Sequence, residues 1–152
     1  MDAITARIEA SVPADLPAIR SLLGQAGLPH RDLEEGHAAR FWIVREDDRL
    51  IGAVGLETYG HSGLLRSLVV APEARQSGIG RKLVDELEIA ARSNGLRQLL
   101  LLTQTAERFF AHRGYTVIDR GKAPDEVRSA AEFRTLCPAS ATCMSKSLGE
   151  AS

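Results

Sequence analysis

The sequence predicts an α/β protein, a central mixed sheet with helices on both faces. Three observations point to it. Apolar and alternating stretches follow one another as β-α-(α)-β-β-β-α-β-α-β-α-β, a meander feeding βαβ units. Leu99–Leu102 are four consecutive leucines, too short a run for a helix and suited to a strand buried on both sides. Between an apolar run ending Leu68-Val69-Val70 and an amphipathic stretch starting at Arg81 lies Arg75-Gln76-Ser77-Gly78-Ile79-Gly80. A strand, a glycine-bearing loop and a helix start, in that order, gather backbone N–H groups at the positive end of a helix dipole.

Thr5 to Ala10 alternates weakly and forms a short first strand. Leu16, Ile19, Leu22, Leu23 and Ala26 recur at helical spacing, with Asp15 as N-cap and Gly27 and Pro29 as the stop. His30 to Ala39 is polar, either a second short helix or a loop. Phe41–Arg45 and Leu50–Thr58 are strands joined by a turn over Glu46-Asp47-Asp48-Arg49. Tyr59 to Gly63 turns the chain into the strand Leu64–Val70, which Pro72 ends because proline offers the ladder no N–H. From Gly78 to Ser93 the residues Ile79, Leu83, Leu87, Ala90 and Ala91 share one helical face, and Asn94-Gly95 stops it. After the strand Gln98–Thr103, Thr105 caps a helix carrying Ala106, Phe109 and Phe110 on one face, ended by Gly114. Tyr115–Ile118 is a strand, Pro124–Phe133 a helix with Asp125 and Glu126 in its first turn, and Ala141–Leu148 the last strand.

A chain of 152 residues suits a single domain, here expected over residues 1–152, with a core that needs neither disulfide nor metal. The net charge of −1 excludes a strong electrostatic footprint for nucleic acid or anionic membrane. No apolar window approaches the ~18 residues of a membrane span. The opening Met1-Asp2-Ala3-Ile4-Thr5-Ala6-Arg7 lacks the basic and apolar regions of a secretion signal, so a cytoplasmic location is expected. The two cysteines, Cys137 and Cys143, have no zinc spacing, and no metal site is expected.

Neither of two common phosphate loops fits residues 75–81. The Walker pattern is missing, and Gly78-Ile79-Gly80 runs on into Arg81-Lys82-Leu83 without the third glycine of the dinucleotide fingerprint. What stands is Arg/Gln-x-x-Gly-x-Gly after a Val-Val-x-Pro strand end, which resembles the acyl-CoA loop of the GNAT superfamily of N-acetyltransferases. The order of elements is similar over nearly the whole chain. The resemblance implies acetyl-CoA as cosubstrate. Its diphosphate would lie on Arg75, Gln76, Ser77, Gly78, Ile79, Gly80 and Arg81, and its pantetheine arm along Leu68, Val69 and Val70, with its amides beside unpaired backbone groups of Leu68 and Val70. The implied reaction is acetylation of an amine held at the sheet centre.

Such a reaction needs a base for the amine and an acid for the departing thiolate. Glu57, an acid in the otherwise apolar strand Gly52-Ala53-Val54-Gly55-Leu56, is the catalytic candidate, acting directly or through water; the alternative is a solvent-facing acid at a strand end. His61 is a second candidate base. The family's tyrosine acid has no counterpart, because the matching position is Phe110; the thiolate then either leaves unassisted or finds Tyr115, Ser140 or Thr142. Arg66 alternates with Leu64 and Leu68 and needs an anionic partner. That partner is either a substrate carboxylate gripped by the guanidinium fork or an internal salt bridge to Glu57 or Glu132.

Leu64-Leu65-Arg66-Ser67, the stretch Leu100 to Phe110 and the tail from Glu132 to Lys146 look like the amino-acid N-acetyltransferase branch, closest to ArsN-type arsenic-resistance acetyltransferases. This narrower resemblance implies a small acidic amino acid or analogue (glutamate-, phosphinothricin- or arsinothricin-like) as the amine, faced by Arg66, Thr103 and Thr105. The alternatives are a CoA- or metalloid-binding module without turnover, the latter on Cys137 and Cys143, and a protein or peptide N-acetyltransferase. The C-terminal edge strand is a possible homodimer surface.

Overall fold

The computed structural model describes residues 7–34, 39–130, 132–133 and 140–149. Thr5 and Ala6 of the expected first strand, part of the polar stretch before Arg40, and Cys137 lie outside the described residues.

Seven strands form one mixed sheet in the order β1-β2-β3-β4-β5-β7-β6. They are β1 (Arg7–Ala10), β2 (Arg40–Glu46), β3 (Arg49–Tyr59), β4 (Ser62–Val70), β5 (Gln98–Thr103), β6 (Thr116–Val117) and β7 (Thr142–Ser147). The helices are α1 (Leu16–Gln25), α2 (Ile79–Ser93), α3 (Glu107–His112) and α4 (Asp125–Arg128). The element order is the one expected, apart from a shorter α4 and a β4 that starts at Ser62 because the turn before it is confined to Gly60, at φ +61°, and His61.

The chain divides into two compact units. The first comprises Met1–Leu56 with Ser67–Ala90. In it β1 pairs antiparallel with β2, and β2 with β3, from Arg40↔Leu56 to Glu46↔Arg49 with an irregularity at Val44/Arg45. Ile19, Leu22 and Leu23 of α1 are buried, as are Leu83, Val84 and Leu87 of α2. Glycine lets β3 and α2 approach: a Cβ at Gly52 would stand 3.1 Å from Ile79 Cγ2 and 3.2 Å from Leu83 Cδ1. Asp15 stands at the N-cap position of α1 but does not cap it. Its carboxylate accepts the Val12 N–H at 2.8 Å and pairs with Arg45 on β2, an attraction the local sequence does not reveal.

The second unit comprises Glu57–Arg66 with Ala91–Ser152. Its centre is β5, where Leu99, Leu100 and Leu101 are buried as the leucine run required. β5 pairs antiparallel with β7 from Gln98↔Ser147 to Thr103↔Thr142. Its parallel pairing with β4 covers only Ser62↔Gln98, Gly63↔Leu99 and Leu64↔Leu100, among the described residues. β4 goes on through Leu65 and Arg66, and β5 through Thr103, beyond that register. Leu64, Leu100, Ala123, Val127 and Ala130 form a core cluster, with Tyr59, Ile118 and Phe133 packed against it.

Candidate functional site

In the first unit, β4 leads into the glycine loop. The Ala71 N–H donates to Ile51 O at 2.8 Å, a 3₁₀ turn spans Pro72–Ala74, and Arg75 is extended. The backbone then enters the left-handed region twice, at Gln76 (φ +67°) and Gly78 (φ +86°). A glycine takes that conformation freely, whereas Gln76 carries a side chain there and is strained. Lys82 makes the first N–H bond of α2, to Gly78 O at 3.1 Å. Among the described residues, no backbone N–H from Gln76 to Arg81 has a hydrogen-bond partner. A Cβ at Gly78 would meet nothing within 4 Å, so the loop is open there. Unsatisfied amides at a helix start, with no side chain over them, fit a phosphate or diphosphate.

The side chains of the loop modify the expected picture. Arg75 is exposed and its Nε donates back to Val70 O at 3.1 Å. That corrects the expectation of a free Val70 carbonyl, since a flexible guanidinium reaches the strand end five residues away. Ser77 Oγ donates to Ala74 O at 2.5 Å and tightens the turn. Arg81 is exposed, Val69 buried, and Leu68 and Val70 half-buried. Just before them Ser67 breaks the extended strand with φ +61°.

In the second unit the structure gathers Glu57, Tyr59, Arg66 and Glu132. Arg66 is among the largest fully buried side chains. Its Nη1 lies 2.7 Å from Glu57 Oε2, and its Nε 3.5 Å from Glu132 Oε2. The Tyr59 hydroxyl donates to Glu57 Oε1. Of the two partners considered for Arg66, a substrate carboxylate or an internal acid, the structure holds the internal one twice over. Glu57 is 6% exposed, so it is not the solvent-facing acid of the alternative reading. Two carboxyl groups share one guanidinium. Tyr59 was missed as a site residue. The signal for it is strand alternation, which puts residues 57 and 59 on the same face.

Thr103 Oγ1 accepts the Ala106 N–H at 3.0 Å, just ahead of α3, and α3 has no side-chain cap, so Thr105 does not cap it as expected. Thr105 is exposed. Phe110 is buried and edge-packed on Phe109 and Tyr115, at 5.1 and 5.3 Å between ring centroids. Tyr115 is itself buried, with Lys146 Nζ 5.5 Å from its ring centre. His61 is exposed at a turn, with its carbonyl accepting the Arg97 N–H at 2.7 Å. Cys143 is a free, buried thiol; burial pushes its pKa above the usual thiol value, with Arg120 opposing and Asp119 reinforcing the shift.

Comparison with known proteins places these features in context. The profile of the family described as "Acetyltransferase (GNAT) domain" matches residues 37–117. An amino-acid acetyltransferase of Neisseria meningitidis is 31% identical over 121 residues, 77% of this chain and 28% of that protein. This chain therefore spans little more than a quarter of that relative's length. The N-acetylglutamate synthase of Neisseria gonorrhoeae, solved with coenzyme A and N-acetyl-glutamate, superposes with a TM-score of 0.82 at 24% identity, covering 99% of this chain and 36% of that one. Rv2747 of Mycobacterium tuberculosis, solved with CoA and NLQ, superposes with a TM-score of 0.78 at 26% identity, covering 93% and 98%.

Proposed function

Because the chain belongs to the GNAT acetyltransferase family, we propose that it transfers an acetyl group from acetyl-CoA to the α-amine of a small amino acid with an acidic far end. One observation carries the reading: the unpartnered row of amides from Gln76 to Arg81, open above Gly78. Acetyl-CoA supplies the activated thioester. The loop holds its diphosphate with Arg75 and Arg81 adding positive charge, and the backbone of Leu68–Val70 lies along its pantetheine arm.

Glu57 receives the ammonium of the acceptor and takes its proton, directly or through one water. Arg66 and Tyr59 act through Glu57 as positioning residues, each holding one carboxylate oxygen. Thr103, whose oxygen already accepts an N–H, keeps its hydroxyl proton for a substrate carboxylate, with Thr105 beside it in sequence. A glutamate-like substrate is favoured by the likeness to an N-acetylglutamate synthase of Neisseria gonorrhoeae that is 26% identical to this chain. Arsinothricin and phosphinothricin share that acidic far end, and acetylation of arsinothricin would extend the activity to arsenic resistance.

The test is release of free thiol from acetyl-CoA with glutamate, phosphinothricin and arsinothricin, and with lysine and leucine as controls. Release with the acidic amines alone is the expected result; none above background with any amine refutes the transfer, and release with lysine or leucine alone refutes the substrate class. Glu57→Gln should lower kcat by about 10²–10⁴-fold, the usual worth of a positioned acid or base. One observation favours a second reading, CoA binding without turnover: Phe110 brings no hydroxyl to protonate a thiolate. Calorimetric binding of acetyl-CoA with no thiol release for any amine would select it.

A further inference from the structure

A cavity of about 1080 Å³ lies in the first unit, where α1 and the chain that precedes it face the start of β2. It shares no residue with the glycine loop or with the Glu57 cluster. Val12, Leu16, Ile19 and Phe41 contribute apolar wall. Among the described residues, three charged side chains line it: Arg20, Arg40 and Glu34. The Arg40 guanidinium lies 5.3 Å from the centre of the Trp42 ring, which also lines the cavity.

Arg20 is the unusual member. It is half-buried on α1, and its Nε, shielded from solvent, has no hydrogen-bond partner among the described residues. Buried donors are nearly always paired; the orphaned Nε marks Arg20 as a guanidinium without a fixed partner there among the described residues, and Arg20 lines the cavity. The volume is at the upper end for small-molecule sites, and such sites join apolar walls to a few polar groups that set orientation. Two guanidinium groups against one carboxylate bias the lining toward an anion, and a guanidinium fork favours carboxylate geometry.

We propose that this cavity is a binding site for a small organic acid with an apolar body, its carboxylate on Arg20 and its hydrocarbon part against Trp42 and the α1 wall. It is separate from acetyl transfer and stands or falls independently of it. The ring stacked under Arg40 offers an aryl group a flat neighbour.

Trp42 is the single tryptophan of the chain, so its fluorescence reports on this cavity alone. Phenylacetate is titrated against its neutral isostere phenylacetamide. Expected are a saturable change in emission with phenylacetate, affinity at least tenfold weaker for the amide, and loss of that preference in Arg20→Gln. No saturable change, equal affinity for acid and amide, or undiminished phenylacetate binding by Arg20→Gln would each overturn the proposal. A side chain whose Nε has no partner among the described residues is dispensable for folding, so Arg20→Gln and Arg20→Met should leave Tm unchanged or raised. A marked fall in Tm for both would show that Arg20 has a structural partner, and would equally overturn it.

Discussion

Arg66 illustrates how a single charged side chain acquires its role from its neighbours. Once its guanidinium is out of water, it persists only because Glu57 and Glu132 supply compensating charge and hydrogen bonds. Removing it leaves two carboxyl groups buried side by side. Arg66→Ala is therefore expected to cost about 3–5 kcal/mol of stability, seen as a lower urea midpoint; a change within ~0.5 kcal/mol, the scale of surface substitutions, would contradict the buried pairing. Cys143 supplies a pH dependence. Its thiol pKa is raised in the fold by burial, so the native state binds the proton more tightly than the unfolded chain does. The stability this provides is complete below the unfolded thiol value, ~8.5, and is lost as pH rises through the raised native value. Chemical denaturation across that alkaline range should show a decline that Cys143→Ala makes shallower.

At the scale of elements, the loop between β4 and α2 is shaped by backbone conformation more than by side chains. Gly78 sits at φ +86° with open space around it, so a methyl group there is penalised by the backbone and not by a clash. Gly78→Ala should cost about 1 kcal/mol of stability. If the loop amides carry the diphosphate, the KM for acetyl-CoA should rise at least tenfold while the KM for the amine stays put. Equal rises in both would point to a general distortion. Gly55 makes the contrast: its φ is ordinary, but a Cβ would come within 2.8 Å of the Phe41 ring, so the constraint there is packing.

At the scale of the whole molecule, each of the two compact units is built from two separate stretches of the chain. A cosubstrate that binds only the folded chain stabilises the fold as a whole. At a hundredfold excess over its Kd, acetyl-CoA should add about 2.7 kcal/mol, or roughly 5–10 °C in Tm for a chain of this size. A Tm that does not move at millimolar acetyl-CoA would remove the cosubstrate from the proposed function.

By itself the sequence determined the order of the elements, the buried β5, and the loop from Arg75 to Arg81. These are written in short-range patterns: the periodicity of a backbone, glycines where φ turns positive, a proline where a ladder ends. It also narrowed Arg66 to two kinds of partner. Only the tertiary structure shows the internal pair, because Glu132 is 66 residues away along the chain and reaches Arg66 only after folding. The same holds for Asp15, drawn from its cap to Arg45, and for Tyr59, whose hydroxyl gains significance only beside Glu57. Helix and strand arise from neighbours along the chain, whereas the pairing of buried charges is settled by whichever partners the fold brings within a few ångströms.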